Sequence, residues 1–138
     1  MLDISVIILT YNEEIHIKRC LDNVSPFVKQ IFIIDSYSAD STLEIAKGYS
    51  NVIILQNKWV NYATQFNWAL ENAPINSKWV LRLDADEYLT EELRCELENR
   101  LPLLKDDVTG VVFPLRRVWM GKTIRHGMPQ VKLLRLFQ

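Results

Sequence analysis

Ile4-Ser5-Val6-Ile7-Ile8-Leu9 and Ile31-Phe32-Ile33-Ile34-Asp35 are the two stretches from which the architecture can be read. Each is a short, near-continuous run of apolar, mostly β-branched residues, the pattern of a strand buried on both faces of a parallel sheet. Between them Ile17, Cys20, Leu21 and Val24 recur at i, i+3, i+4 and i+7, one face of a helix, and Ser25-Pro26 stops it. The three pieces make one βαβ unit.

Working outward, the alternation continues. Asp40, Ser41 or Thr42 can cap a second helix with Leu43 and Ala46 inward and Gly48 near its end, and Val52 to Leu55 predicts a third strand. Tyr62, Phe66, Ala69, Leu70 and Ala73 predict the inward face of a third helix ended by Pro74, and Trp79 to Leu83 a fourth strand. Thr90-Glu91-Glu92 opens a fourth helix with Leu93, Leu97 and Leu101 along one side. Such an order predicts an α/β fold with a Rossmann-type, mostly parallel sheet flanked by helices and ligands beyond the carboxyl ends of the strands. After Pro102 the helical period disappears, and Gly110 to Leu115 and Val131 to Phe137 predict an antiparallel C-terminal addition.

With 138 residues, 49% apolar and 24% charged, the chain fits one globular domain, residues 1–138, and not a disordered segment. A formal net charge of -1 gives no overall field for nucleic acid, so no nucleic-acid partner is expected. One basic cluster stands out: Arg116, Arg117, Lys122, Arg125, Lys132 and Arg135, either a solvated strand face or a surface facing phosphates or lipid headgroups. Cys20 and Cys95 are too few for a disulfide framework, both are expected as buried thiols, and a reducing cytoplasm is the natural setting. No basic leader precedes the apolar run Val6 to Leu9, which is too short for a signal peptide or a membrane span.

Acidic residues sit where this fold binds ligands: Asp35 follows one strand run, and Asp84 and Asp86 follow another. Two carboxylates two residues apart on extended chain point to the same side and can converge on one cation. Oxygen ligands of this kind suit Mg²⁺ or Mn²⁺, with diphosphate oxygens and water completing the shell. An isolated Asp-x-Asp is better explained as a solvated turn before an acidic helix start. Its position after an apolar strand, beside a second acidic strand end, favours the ligand site. The loop Ser36 to Thr42 is polar and precedes a helix N-terminus, a place suited to hydrogen-bonding a base, ribose or phosphate.

These motifs resemble the family 2 glycosyltransferases, inverting enzymes with the nucleotide-binding fold called GT-A. The matching stretches are Ser5 to Glu14, Ile33 to Thr42, Gln65 to Leu70 and Trp79 to Glu87, in the family's order. Asp35-Ser36-Tyr37-Ser38 and Pro129 to Phe137 look most like the branch that adds sugars to lipopolysaccharide core and other surface glycans. The resemblance implies a nucleotide-sugar donor, a UDP-sugar above all, and a glycan or lipid-linked acceptor. It implies that Thr10, Tyr11 and Glu13 line the nucleoside pocket, that Asp35 reads the uracil or ribose, and that Asp84 lies near the ribose. Asp86 would be the metal ligand, while Gln65 and Asn67 fall in a motif that faces the donor.

Ser36 stands where many relatives carry a second aspartate, which leaves base recognition to Asp35. Relatives usually continue well beyond the position of Gln138, with an acceptor pocket and a carboxylate general base, so this chain is expected to be the donor-binding part. Within it Glu87 and His126 are the candidates for the base, and each has a plainer explanation: helix-dipole charge for Glu87, a basic loop for His126. His16 is expected to be exposed and idle. Of Trp59, Trp68, Trp79 and Trp119, Trp119 is the one expected to face sugar or acceptor, from a turn-like stretch. Association into a homo-oligomer and peripheral contact with the inner face of the plasma membrane are compatible with this reading. Two others remain: a non-catalytic nucleotide-binding or assembly module, and a nucleotidyltransferase. The latter's Gly-rich phosphate loop is absent from a chain with four glycines.

Overall fold

A computed structural model describes residues 1–115, 118–119, 122–123 and 131–138. Strand β1 (Leu2–Thr10) is the axis of the sheet, flanked by β2 (Val28–Asp35) on one side and β4 (Trp79–Arg82) on the other, both parallel to it. Beyond β2 lies β3 (Val52–Gln56), also parallel. On the far side of β4, β8 (Val131–Phe137) runs antiparallel and pairs in turn with β5 (Gly110–Leu115), giving the order β3-β2-β1-β4-β8-β5. Strands β6 (Val118–Trp119) and β7 (Lys122–Thr123) form a separate antiparallel pair.

Burial on both faces explains the continuous apolar runs. Ile4, Val6 and Ile8 of β1, with Ile31 and Ile33 of β2, meet helix α1 (Ile17–Val24), whose Ile17, Cys20, Leu21 and Val24 are all fully buried. Ile7, Phe32 and Ile34 point the other way, against Ala69 of helix α3 (Tyr62–Asn72). Each fully buried Val, Leu or Ile contributes roughly 1.5–3 kcal/mol, so α1 is fixed against the sheet by this face alone. Helix α2 (Thr42–Ala46) is a single short turn, and α4 (Glu91–Arg100) starts at Thr90, whose hydroxyl accepts the Leu93 N–H at 3.2 Å.

Three expectations are corrected. On the inward face of α3, Phe66, Ala69 and the following Ala73 pack as expected, but Gln65 is buried with them, whereas Tyr62 is 66% and Leu70 38% exposed. A buried glutamine is tolerable there because its amide is fully engaged, as described below. Cys20 is buried but Cys95 is exposed on α4, whose inward line runs through Leu97. Arg135 belongs to no solvated face, since its side chain is only 13% exposed and turns inward. Arg116, Arg117 and Arg125 of the same cluster lie outside the described residues, as does His126. Trp119 lies in β6 opposite Lys122 of β7, while Arg117, Met120 and Gly121 of the stretch read as turn-like lie outside the described residues.

Candidate functional site

Two features meet at the carboxyl end of the parallel strands. The first grows from the ends of β1 and β2. Asp35, the last residue of β2, is fully buried and its carboxylate is saturated with donors. Oδ1 accepts from the Thr10 hydroxyl at 2.8 Å and the Ser38 hydroxyl at 2.5 Å, while Oδ2 accepts from the Ser38 N–H at 2.9 Å and the Gln56 amide at 3.4 Å. A buried carboxylate requires such partners. In this arrangement Asp35 ties together the ends of β1, β2 and β3, with its charge turned into the protein.

The loops it anchors cross-link to each other. Asn12 donates its N–H to the Ser38 hydroxyl and accepts the Ala39 N–H, and the Glu13 N–H donates to the Thr42 hydroxyl at 2.8 Å. Asn12 and Tyr37 both have positive φ, 51° and 60°. Asparagine adopts that region with little penalty, but for a tyrosine it costs roughly 1–2 kcal/mol, a strain of the kind that collects at ligand sites. Gln65, 1% exposed, reaches across from α3: its amide donates to the Ser36 hydroxyl at 3.2 Å and the Asn57 carbonyl at 3.1 Å, and accepts from the Asn57 side chain at 2.9 Å. It props the loop after β2 against the one after β3. Asn67 stands about 200° further round the helix and is exposed.

Between these loops opens a cleft of about 700 Å³. Thr10, Tyr11 and Glu13 line one wall and Ser36 and Tyr37 another, with Lys58, Trp59 and Tyr62 opposite. Tyr11, Tyr37, Trp59 and Tyr62 are 41–66% exposed, an unusual concentration of bare aromatic rings, and Trp59 meets Tyr62 edge-on at 4.8 Å. Flat apolar walls with a lysine and a carboxylate at the margin suit a flat, polar-edged ligand. Lys58, Trp59, Tyr62 and Tyr37 were not singled out as site residues from the sequence, though Trp59 and Tyr62 were noted for packing. The signal available was their spacing around Asn61, which caps α3 by accepting the Thr64 N–H at 2.8 Å.

The second feature is the acidic turn after β4, the strand next to β1. Leu83 and Ala85 are buried, and Asp84 and Asp86 fall on the open side. A turn rather than extended chain carries them: the Glu87 N–H donates to the Asp84 carbonyl at 2.9 Å, and Glu87 Oε2 accepts the Asp84 N–H at 2.9 Å. Glu87 Oε1 accepts from Arg135 at 2.9 Å, so both of its oxygens are committed to bracing the turn. Burial pushes the Glu87 carboxyl above its ordinary range; the Asp84 N–H and the Arg135 guanidinium oppose that, and the Asp84 and Asp86 carboxylates add to it. Helix α1 holds the segment from the other side through Arg19 to the Asp86 carbonyl at 2.8 Å and Asn23 to the Leu89 backbone.

Asp84 and Asp86 do not line the aromatic cleft, so the two features are neighbours rather than one cavity. The Asp86 carboxylate has no hydrogen-bond or ion-pair partner among the described residues, and no group of three or more His, Cys, Asp or Glu there is placed to hold a metal. The donor set therefore fits a hard divalent ion that takes one or two carboxylates from the chain and its other ligands from phosphate and water. His16, 42% exposed, pairs its Nδ1 with Glu13 at 3.2 Å.

The pattern of glycosyl transferase family 2 matches residues 5–134, almost the whole chain. The chain belongs to glycosyl transferase family 2. Among its relatives, an uncharacterized glycosyltransferase of Rickettsia typhi is 38% identical over 98 residues, which is 71% of this chain and 32% of that protein. The SPbeta prophage-derived glycosyltransferase SunS of Bacillus subtilis is 37% identical over 87 residues, 62% of this chain and 20% of SunS. The chain thus spans about a third or less of the relatives' length. In three dimensions it is similar to the mannosyltransferase PcManGT from Pyrobaculum calidifontis, solved with GDP-Man and Mn²⁺: TM-score 0.62, 25% identity, 78% of this chain and 34% of that one. The sheet is the family 2 GT-A sheet, mostly parallel with an antiparallel pair at one side.

Proposed function

We propose that this chain is the donor-binding part of an enzyme that transfers a sugar from a nucleotide-sugar, a UDP-sugar above all, to a hydroxyl of a glycan or lipid-linked acceptor with inversion at the anomeric carbon. One observation carries the reading: in a family 2 chain, an aromatic cleft and an Asp86 without a partner among the described residues stand side by side at the carboxyl ends of β1, β2 and β4. The exposed rings of Tyr11 and Trp59 offer faces on which a base can stack, and Lys58 offers a cation for diphosphate. Thr10, Asp35 and Gln65 act behind that surface, holding its loops in register. Glu13 and Ser36 are the polar groups in the cleft wall able to bond ribose or base edges.

Asp86, with Asp84 beside it, would hold Mg²⁺ or Mn²⁺; when bound, such an ion stabilises negative charge developing on a departing diphosphate. Asp86 supplies a carboxylate without a partner among the described residues, on a turn that Glu87 and Arg19 hold on either side of it. Glu87 is read as a brace, and the base is assigned to no described residue. The cell-surface glycan branch is the acceptor class we favour, with the reaction on the cytoplasmic side of the membrane. Among the described residues no helix is long and apolar enough to cross a bilayer.

Titration calorimetry of UDP and GDP into the chain, each with and without Mn²⁺ and beside an Asp86→Ala variant, tests this. UDP should bind more tightly with Mn²⁺, and Asp86→Ala should erase that gain, at least tenfold or about 1.4 kcal/mol, without lowering the unfolding midpoint. Preference for GDP would transfer the reading to a GDP-sugar; no binding of either by the folded chain would sink it.

A further inference from the structure

Arg135 sits at an irregularity in β8. Val111 of β5 pairs with Leu136 and Val112 with Leu134, so Arg135 has no opposite number and forms a bulge. Bulges re-aim the side chain they carry. Here the guanidinium is turned to the acidic turn: Nη2 donates to Glu87 Oε1 at 2.9 Å, and Nη1 stands 3.9 Å from Asp84 Oδ1. Nη1 is buried with no hydrogen-bond partner among the described residues, and in sequence Arg135 is the one charged residue of the apolar stretch Leu133 to Phe137.

Placing a guanidinium in that position is a poor way to gain stability, since desolvating it costs several kcal/mol and a packed apolar side chain would often do as well. What an arginine does that leucine or lysine does not is address two carboxylates at once from a rigid planar fork. Glu87 and Asp84 are already tied to each other by two hydrogen bonds within the turn. Arg135 adds a tie from β8, while Arg19 grips the Asp86 carbonyl from α1.

We propose that Arg135 is a positioning residue of the donor site: by holding Glu87 and Asp84 it fixes the turn and so sets the direction in which Asp86 meets a divalent cation. The metal half of this statement rests on the donor-site reading above; the turn-holding half does not. β8 is thereby part of the donor site although it comes some fifty positions after Asp86 in the sequence, as the numbering shows.

The test uses the full 138-residue chain with Arg135→Lys and Arg135→Met, the latter keeping an unbranched stem should lysine not be tolerated. Two readouts are taken: amide hydrogen exchange at Asp84 and Glu87 relative to β1, and UDP affinity with and without Mn²⁺. In a variant that stays folded, exchange at those two amides should rise at least tenfold while β1 is unchanged. The gain in UDP affinity from Mn²⁺ should fall about tenfold, as for other groups that orient a metal ligand, with metal-free affinity unaltered. Unchanged exchange at the turn, or a Mn²⁺ gain equal to wild type, overturns the proposal. If the wild-type chain itself shows no Mn²⁺ gain while exchange at the turn still rises, the donor reading fails and the metal half falls with it, leaving Arg135 as a brace of the turn alone.

Discussion

Asp35 takes four hydrogen bonds on two oxygens while fully buried. Removing that carboxylate leaves the buried Thr10 hydroxyl and the half-buried Ser38 hydroxyl and amide without their acceptor. Asp35→Ala should therefore cost about 3 kcal/mol of folding stability, read as a shift of the denaturant midpoint at constant slope. A loss below about 0.5 kcal/mol would show that the carboxylate is not the tie described. Its position after an apolar strand was legible as an acidic strand end; its orientation was not. Whether a strand-end aspartate faces ligand or protein is decided by hydroxyls far away in sequence, Thr10 and Ser38, which composition and spacing do not connect to it. Arg135 was hidden for a similar reason. It read as one of six basic residues, although a single cation within Leu133 to Phe137 already asks for a buried partner.

Helix α1 was readable residue by residue because its inward face is wholly apolar. Helix α3 was not, since an apolar-periodicity rule counts Tyr62 and Leu70 and cannot count Gln65, whose burial is secured by hydrogen bonds. The same helix carries its own start signal in Asn61, and the cap lies between Trp59 and Tyr62, the pair that walls the cleft. Asn61→Ala should lower stability by about 1 kcal/mol, and with the first turn frayed the wall should loosen. Trp59 fluorescence, separated from Trp68, Trp79 and Trp119 by Phe substitutions there, should then become more readily quenched by iodide. Equal quenching with an unchanged midpoint would mean that packing, not the cap, holds that turn.

Across the whole molecule, the mostly parallel sheet and the antiparallel addition followed from the alternation of strands and helices and from its loss after Pro102. The insertion of β8 between β4 and β5 did not, because pairing between distant strands leaves no local trace. It bears on global stability through Glu87. Burial holds its carboxyl above the ordinary value of 4.5, so the folded chain keeps this proton to a higher pH than the unfolded chain does. Stability from this group is then complete below the unfolded value and is lost as pH rises through the folded one. In metal-free buffer, the unfolding free energy of the wild type minus that of Glu87→Gln should fall across that window and level off above it. A difference that stays flat from pH 4 to pH 7, as a test range, would contradict the assignment.

The chain leaves the ribosome in one direction, and the sheet does not follow that order. Once Arg82 has emerged, β3, β2, β1 and β4 have all their mutual partners, but the outer edge of β4 is bare. Strand β5 appears next and must wait for β8, its sheet neighbour among the described residues. Throughout that interval the nascent protein carries an open strand edge of the kind that invites pairing with other chains. Maturation of the acidic turn waits on the same event, for Arg135 arrives with the strand that closes the gap. Synthesis therefore delivers the aromatic cleft before the strand that braces the acidic turn.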